Sequence, residues 1–203
     1  SKAVILACDG AYWKDTQKWG IGVLSVTSGT GWSYGGSLNS TKETTFKLHY
    51  ELGRYDISHI TIEGLALCTA MLTGVETGIR NRRSSEMAAE ESWSSFGDHL
   101  SIVSDYIYSL HSLISRAKNG EFFEVIENKP LFKSPSEVLD DNLLMAISTA
   151  VAVFQRVTVM HRSLLPSWYQ WQGSCWPPHT LAHNSCGNTS IDLRQAWTSC
   201  QPF

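Results

Sequence analysis

The sequence predicts an α/β protein on a mixed five-stranded sheet, an antiparallel meander followed by parallel strands, with helices on both faces. Three observations predict it. Ala3 to Cys8 is a continuous apolar run of strand length, the pattern of a central strand buried on both faces. The segments "WGIGVLSVT" and "GWSYGGSL" flank "SGTG", which reads as two strands joined by a hairpin turn. From Ile60 the apolar period lengthens to that of a helix, and strands and helices then alternate.

The elements follow in order. Asp9 ends the first strand, and "GAYWKDTQK" reads as a turn region before the hairpin. Residues 39–55 are polar and mixed, with a further strand around "TTFKLHYEL". Leu65, Cys68, Leu72 and Val75 follow helical spacing, and Gly78 fits the helix end. Arg82 to Gly97 is Ser-rich and reads as an inserted loop. "HLSIVSD" is a second buried strand ending at Asp105, and "YIYSLHSLISRAKNG" is a helix stopped by Gly120. Ser134, Pro135 and Glu137 supply an N-cap, a first-position proline and a capping-box glutamate. Leu143, Ile147, Val151 and Phe154 then form one apolar stripe. "VTVMHR" is the last strand, Ser163 to Cys186 an aromatic-rich loop, and a short helix closes the chain from about Asn188 to Thr198.

Bulk composition narrows the function classes. A chain of 203 residues suits one domain, 1–203, large enough for a stable core. Hydrophobic residues make up 42% and charged residues 17%, ordinary for a globular protein. No uninterrupted apolar run reaches the roughly 18 residues of a membrane span, so no membrane is expected. The net charge of −3 confines any basic footprint for nucleic acid to a local patch, and "RNRR" (Arg80, Arg82, Arg83) is the one basic cluster. It either contacts phosphates or is a solvated helix end that complements the dipole. The five cysteines (Cys8, Cys68, Cys175, Cys186, Cys200) are odd in number in a chain that is not small. An intracellular, cytoplasmic or nuclear, reducing setting is therefore expected.

Candidate chemistry begins with carboxylates after apolar strands. An ionised carboxylate there is costly unless it is paired or bound to metal. One such Asp by itself reads as a turn residue or helix cap, but Asp9 and Asp105 both follow buried strands, and sites in open sheets form at strand ends. Glu63 and Asp192 each stand near a helix start, where the dipole alone also favours an acid.

The segments "ILACDGAY", "IEGLALCTAML", "LSIVSDYIYSL" and "HNSCGNTSID", in that order, resemble the four motifs of type 1 ribonucleases H. The resemblance spans most of the chain. It implies the ribonuclease H-like fold with insertions near 39–55, 82–97 and 163–182, either free-standing or as a domain of a reverse transcriptase polyprotein. It implies hydrolysis of the RNA strand of an RNA/DNA hybrid with two Mg²⁺ or Mn²⁺ ions held by Asp9, Glu63, Asp105 and Asp192. It further implies hybrid contacts at Gly10, Ala11 and Asn188, and a loop histidine that moves a proton or releases product. His183 matches that histidine, and His161 is its competitor. Departures are His59, Ile60 and Thr61 before Glu63, where the family often carries asparagines, and a longer, bulkier stretch after Asp9. The rivals are another nuclease or integrase of the same fold, and a catalytically inactive module that binds nucleic acid or protein.

The C-terminal quarter carries a second possibility. Cys175, His179, His183 and Cys186 fall within twelve residues and could hold zinc tetrahedrally, although the spacing is not that of a paired knuckle. Reduced cysteines packed as small apolar residues are the alternative. Trp168, Tyr169, Trp171 and Trp176 either stack on bases or form a satellite cluster.

Overall fold

A computed structural model describes residues 2–26, 28–37, 59–88, 96–104, 110–126, 137–164 and 176–185. The elements are β1 (Lys2–Trp13), β2 (Lys18–Ser25), β3 (Gly31–Ser37), α1 (His59–Ala88), β4 (Phe96–Ser104), α2 (His111–Ile114), β5 (Phe123–Ile126), α3 (Glu137–Val153), β6 (Arg156–His161) and α4 (Pro177–Ser185). The strands form one sheet of six in the order β3-β2-β1-β4-β6-β5. The β1–β2 and β2–β3 pairs are antiparallel. The β1–β4, β4–β6 and β5–β6 pairs are parallel. This is the predicted mixed α/β sheet, a meander followed by parallel strands, with six strands in place of five. The additional strand, β5, is four residues long and lies at the sheet edge.

Strand alternation divides the side chains between two faces. Val4, Leu6 and Cys8 of β1, Ile21 and Val23 of β2, Leu100 and Ile102 of β4, and Val157 and Val159 of β6 share one buried cluster with α1 and α3. Ile62, Ala66, Leu67 and Met71 of α1 and Leu143, Ile147 and Ala150 of α3 complete it. On the opposite face α4 lies across β2, β1 and β3. There the apolar contacts are smaller: Ala7, Val103 and Trp176 in one group, Ala11 and Ala182 in another.

Several boundaries differ from the sequence reading. Asp9 is interior to β1, because the hairpin pairing with β2 continues to Trp13↔Lys18. The turn is Lys14–Gln17, with Gln17 at φ 52. Gly78 does not end α1. A Cβ there would meet Phe154 Cζ at 2.6 Å, so this glycine lets the helix approach α3 closely. The Arg82–Gly97 stretch reads as a loop, yet α1 continues to Ala88 and β4 begins at Phe96. Its Arg, Glu, Met and Ala residues are good helix formers. Of the helix expected over 106–120, the described part is helical only at His111–Ile114, followed by a 3₁₀ turn at Gly120–Phe122. The aromatic-rich loop contains a helix, α4. The strand expected within 39–55, the caps Ser134 and Pro135, and the last helix lie outside the described residues.

Over Ile62–Asn81 α1 is long and apolar enough to cross a membrane, with mean hydropathy 1.2, but 67% of that window is buried within the fold. It is the core helix of the sheet.

Two titratable groups in this core give checkable expectations. Cys68 is buried, its Sγ lies 3.7 Å from the Asn142 carbonyl oxygen, and burial pushes the thiol up to about 11. Alkylation at mild alkaline pH, read by mass spectrometry, should leave Cys68 unmodified in the folded protein and label it in denaturant. His99 lies 2.8 Å from Thr158 Oγ1. Desolvation, aided by the Arg156 charge, lowers its pKa below the ordinary 6.5, against an opposing pull from Glu124. The unfolded chain therefore takes up the proton first, so the stability His99 contributes is present above 6.5 and is lost as pH falls below it. His99→Gln should flatten the fall in melting temperature between about pH 7 and pH 5.

Candidate active site around Asp9

Asp9 sits opposite Gly22 in the β1–β2 ladder and is 1% exposed. Its Oδ2 accepts a hydrogen bond from His179 Nδ1 at 2.8 Å. An ionised carboxylate can only accept, so the proton of that bond is on Nδ1. Its Oδ1 is buried and has no hydrogen-bond partner among the described residues. Leaving such an atom unsatisfied costs about 1–3 kcal/mol, so a buried orphan of this kind calls for a ligand. A carboxylate oxygen with that vacancy in its bonding fits a hard divalent cation.

His179 reaches Asp9 because α4 lies directly on the backbone of β2. Gly20 and Gly22 alternate onto the α4 face, and a Cβ at either would collide with a carbonyl of α4, that of Ala182 or of Pro178. The helix itself follows from its residues. Pro177 stands at the first helical position, where a missing N–H costs nothing, and Pro178, Leu181, Ala182 and Ser185 recur on one buried face. His179 and His183 are one turn apart beside that face, with ring centroids 4.1 Å apart. His183 also meets Trp13 edge-on at 6.1 Å. Trp13 is 44% exposed, so a line of ring contacts runs from the surface through His183 and His179 to the buried carboxylate.

Glu63 approaches from the other face. It is 4% exposed, and the Gly10 N–H donates to its Oε2 at 3.3 Å. Gly10 has no side chain to keep α1 away, since a Cβ would lie 2.8 Å from the Ile62 carbonyl oxygen. Asp9 and Glu63 thus flank one point of the central strand from opposite sides. Beside them, Cys8, Ser104 and His161 form a lateral row across β1, β4 and β6. His161 is two strand spacings from β1, about 10 Å.

Of the four expected carboxylates, Asp9 and Glu63 meet the central strand at consecutive residues, Asp9 on the α4 face and Glu63 through the Gly10 N–H from the α1 side; Asp105 and Asp192 lie outside the described residues. So do Asn188, Cys175 and Cys186. Among the described residues no three His, Cys, Asp or Glu side chains gather into a metal-binding group. The expected hybrid contacts at Gly10 and Ala11 meet two obstacles: the Gly10 N–H is bonded to Glu63, and the Ala11 side chain is 1% exposed beneath Ala182. Arg80 is exposed on α1 and pairs with Glu76 at 2.6 Å. Arg82 and Arg83 are on the same helix, with side chains outside the described set. Between the two loop-histidine candidates, His183 lies one ring contact from the Asp9 partner, whereas His161 stands across the sheet. The contact that sequence reasoning missed is His179 with Asp9. Its signal was the helical spacing of Pro178, Leu181, Ala182 and Ser185, which would have placed His179 and His183 one turn apart.

No protein-family model matches the chain, and no curated protein matches it in sequence. Two similar solved structures are ribonuclease H domains. One is ribonuclease H1 from the halophilic archaeon Halobacterium salinarum, with 12% identity, a TM-score of 0.45, and 91% of this chain and 97% of that one covered. The other is an N-terminal ribonuclease H domain from Mycobacterium tuberculosis, solved as a fusion with maltose-binding protein. It has 12% identity and a TM-score of 0.40, with 93% of this chain and 100% of that one covered.

Proposed function

We propose that the chain is a metal-dependent endonuclease that hydrolyses the RNA strand of RNA/DNA hybrids. The observation that carries this reading is the buried Asp9 carboxylate on the central strand, with one oxygen unpartnered among the described residues and Glu63 bonded to the next residue of that strand. The ordered "CDG", "IEGLA" and "VSD" motifs of the sequence support it. Asp9 and Glu63 would hold Mg²⁺ or Mn²⁺, joined by Asp105 and Asp192. Bound there, two such ions supply an activated water and stabilise the departing 3′ oxygen.

The residues of the chain do the positioning. The Gly10 N–H holds the Glu63 carboxylate against β1. The His179 N–H fixes the orientation of the Asp9 carboxylate, leaving Oδ1 for the cation. Trp13, exposed at the end of β1, offers a face on which a sugar or base can rest. The 2′-hydroxyl is the group by which RNA is distinguished from DNA.

The test is incubation with end-labelled RNA/DNA hybrid, RNA duplex and DNA duplex in Mg²⁺ or Mn²⁺. Cleavage of the RNA strand of the hybrid alone is expected. No cleavage in either metal would sink the nuclease reading. Hybrid retained on a filter without cleavage would establish instead an inactive binding module.

A further inference from the structure

We infer that Trp13 and Lys18 form a subsite for an unpaired nucleic-acid base and its phosphate, so that the chain favours hybrids carrying a single-stranded extension. The inference rests on the nuclease reading in taking nucleic acid as the ligand, and it names the form of substrate that is selected.

The strand pattern places the subsite. Side chains along a strand alternate between faces, so Asp9, Ala11 and Trp13 of β1 share one face, the face on which α4 lies. Trp13 therefore stands about 13 Å beyond Asp9 along one line. Ala11, between them, is covered by Ala182, whereas Trp13 is 44% exposed. The β1–β2 ladder fixes the Trp13 backbone opposite Lys18, and the His183 ring meets the indole edge-on at 6.1 Å. The indole is thus held in place with much of its apolar surface in water.

The chemistry of the hairpin tip fits a base with its phosphate. An indole face stacks on any base, because every base has a π-face. Lys18 is directly across the ladder from Trp13, where Cβ atoms are about 4.5–5.5 Å apart. An ammonium on that stem reaches the phosphate of a base resting on the ring. Lys14 and Lys18 stand against Asp15, two positive charges against one negative, so the tip is locally basic in a chain of net charge −3. A base inside a duplex has both faces covered by its neighbours, so the base that stacks on Trp13 is unpaired or terminal. At about 3.4 Å per stacked nucleotide, it lies about four nucleotides from the phosphate at Asp9.

The experiment measures binding by fluorescence anisotropy in EDTA, so that hybrid stays intact. The probes are RNA/DNA hybrids with a short single-stranded extension of either strand, each compared with the same extension made abasic. The abasic form keeps the phosphates and removes the bases. The better of the two extended hybrids should bind the parent protein about tenfold more tightly than its abasic form, the effect of one stacked base. That ratio should fall to near one in Trp13→Ala and in Trp13→Leu and survive largely in Trp13→Phe. It should be unchanged in Phe122→Ala, which removes an exposed aromatic residue beside the far edge strand. Lys18→Gln should keep the ratio and reduce the salt dependence of binding by about one phosphate contact. Circular dichroism confirms that each variant is folded. A ratio near one in the parent, or a ratio retained in Trp13→Ala, would overturn the subsite, and an unchanged salt dependence in Lys18→Gln would remove Lys18 from it. Hybrid cleaved in Mg²⁺ or Mn²⁺ with a ratio near one would leave the nuclease reading standing and sink this one. A tenfold ratio without cleavage in either metal would do the reverse, and no binding of any hybrid would remove both.

Discussion

Asp9→Asn should lower hybrid cleavage about a thousandfold and, in the absence of metal, raise the melting temperature. The two effects have one cause. Asn replaces the carboxylate with a neutral group of the same shape, whose carbonyl oxygen still accepts the His179 Nδ1–H bond. A ligand to the cation is thereby lost, and several kcal/mol of charge stabilisation in the transition state is lost with it, about 4 kcal/mol for a thousandfold. At the same time a 1% exposed carboxylate with an unpartnered oxygen ceases to be a buried charge. That relief is worth about 1 kcal/mol without metal. Single-turnover cleavage and metal-free thermal melting, run on the same preparation, check both halves. A variant that lost activity and stability together would point to a structural role for Asp9.

The second large effect concerns the seat of α4. Gly20→Ala and Gly22→Ala each place a methyl group against a backbone carbonyl of that helix, which cannot swing aside as a side chain can. Overpacking of this kind costs about 3 kcal/mol, or about 6–12 °C in melting temperature for a chain of this length. Gly31 supplies the contrast. The one tight contact a Cβ there would make is with Leu181 Cδ1, at 3.2 Å, the tip of a flexible side chain. Gly31→Ala should cost less than about 1 kcal/mol. Because α4 carries His179, the two β2 variants should also disturb the Asp9–His179 contact, and limited proteolysis should find α4 released. Equal melting temperatures for Gly20→Ala and Gly31→Ala would contradict this packing.

What the sequence disclosed, and what it hid, divides along physical lines. Apolar runs and periods report burial, so the central strands at Ala3–Cys8 and Leu100–Val103, the hairpin, the core face of α1 and the stripe on α3 were all legible. Lengths set by backbone pairing were less so. β1 continues past Cys8 to Trp13 because its hydrogen bonds to β2 continue, whatever the polarity of its residues. β5 was invisible because four residues at a sheet edge carry too little pattern. Glycine was misread at Gly78, where one residue type serves equally for ending a helix and for close approach. The aromatic-rich stretch read as a loop, although Pro177 and Pro178 stand in a first turn, where proline opens a helix readily. That error hid His179, since its meeting with Asp9 links residues 170 positions apart. For the acidic site, the sequence pointed to Asp9 and Glu63 by position, while the Gly10–Glu63 bond and the unpartnered Oδ1 emerge only from the fold.

The central claim is that the buried Asp9 carboxylate is a divalent-cation site. Thermal melting of the parent protein and Asp9→Asn, each with and without Mn²⁺ or Mg²⁺ and without nucleic acid, tests it most directly. Ion at about ten times its dissociation constant stabilises a specific site by about 1.4 kcal/mol, a rise of about 3–5 °C. The account predicts that rise for the parent and none for Asp9→Asn. An equal rise in both proteins, or none in the parent with either ion, would contradict it.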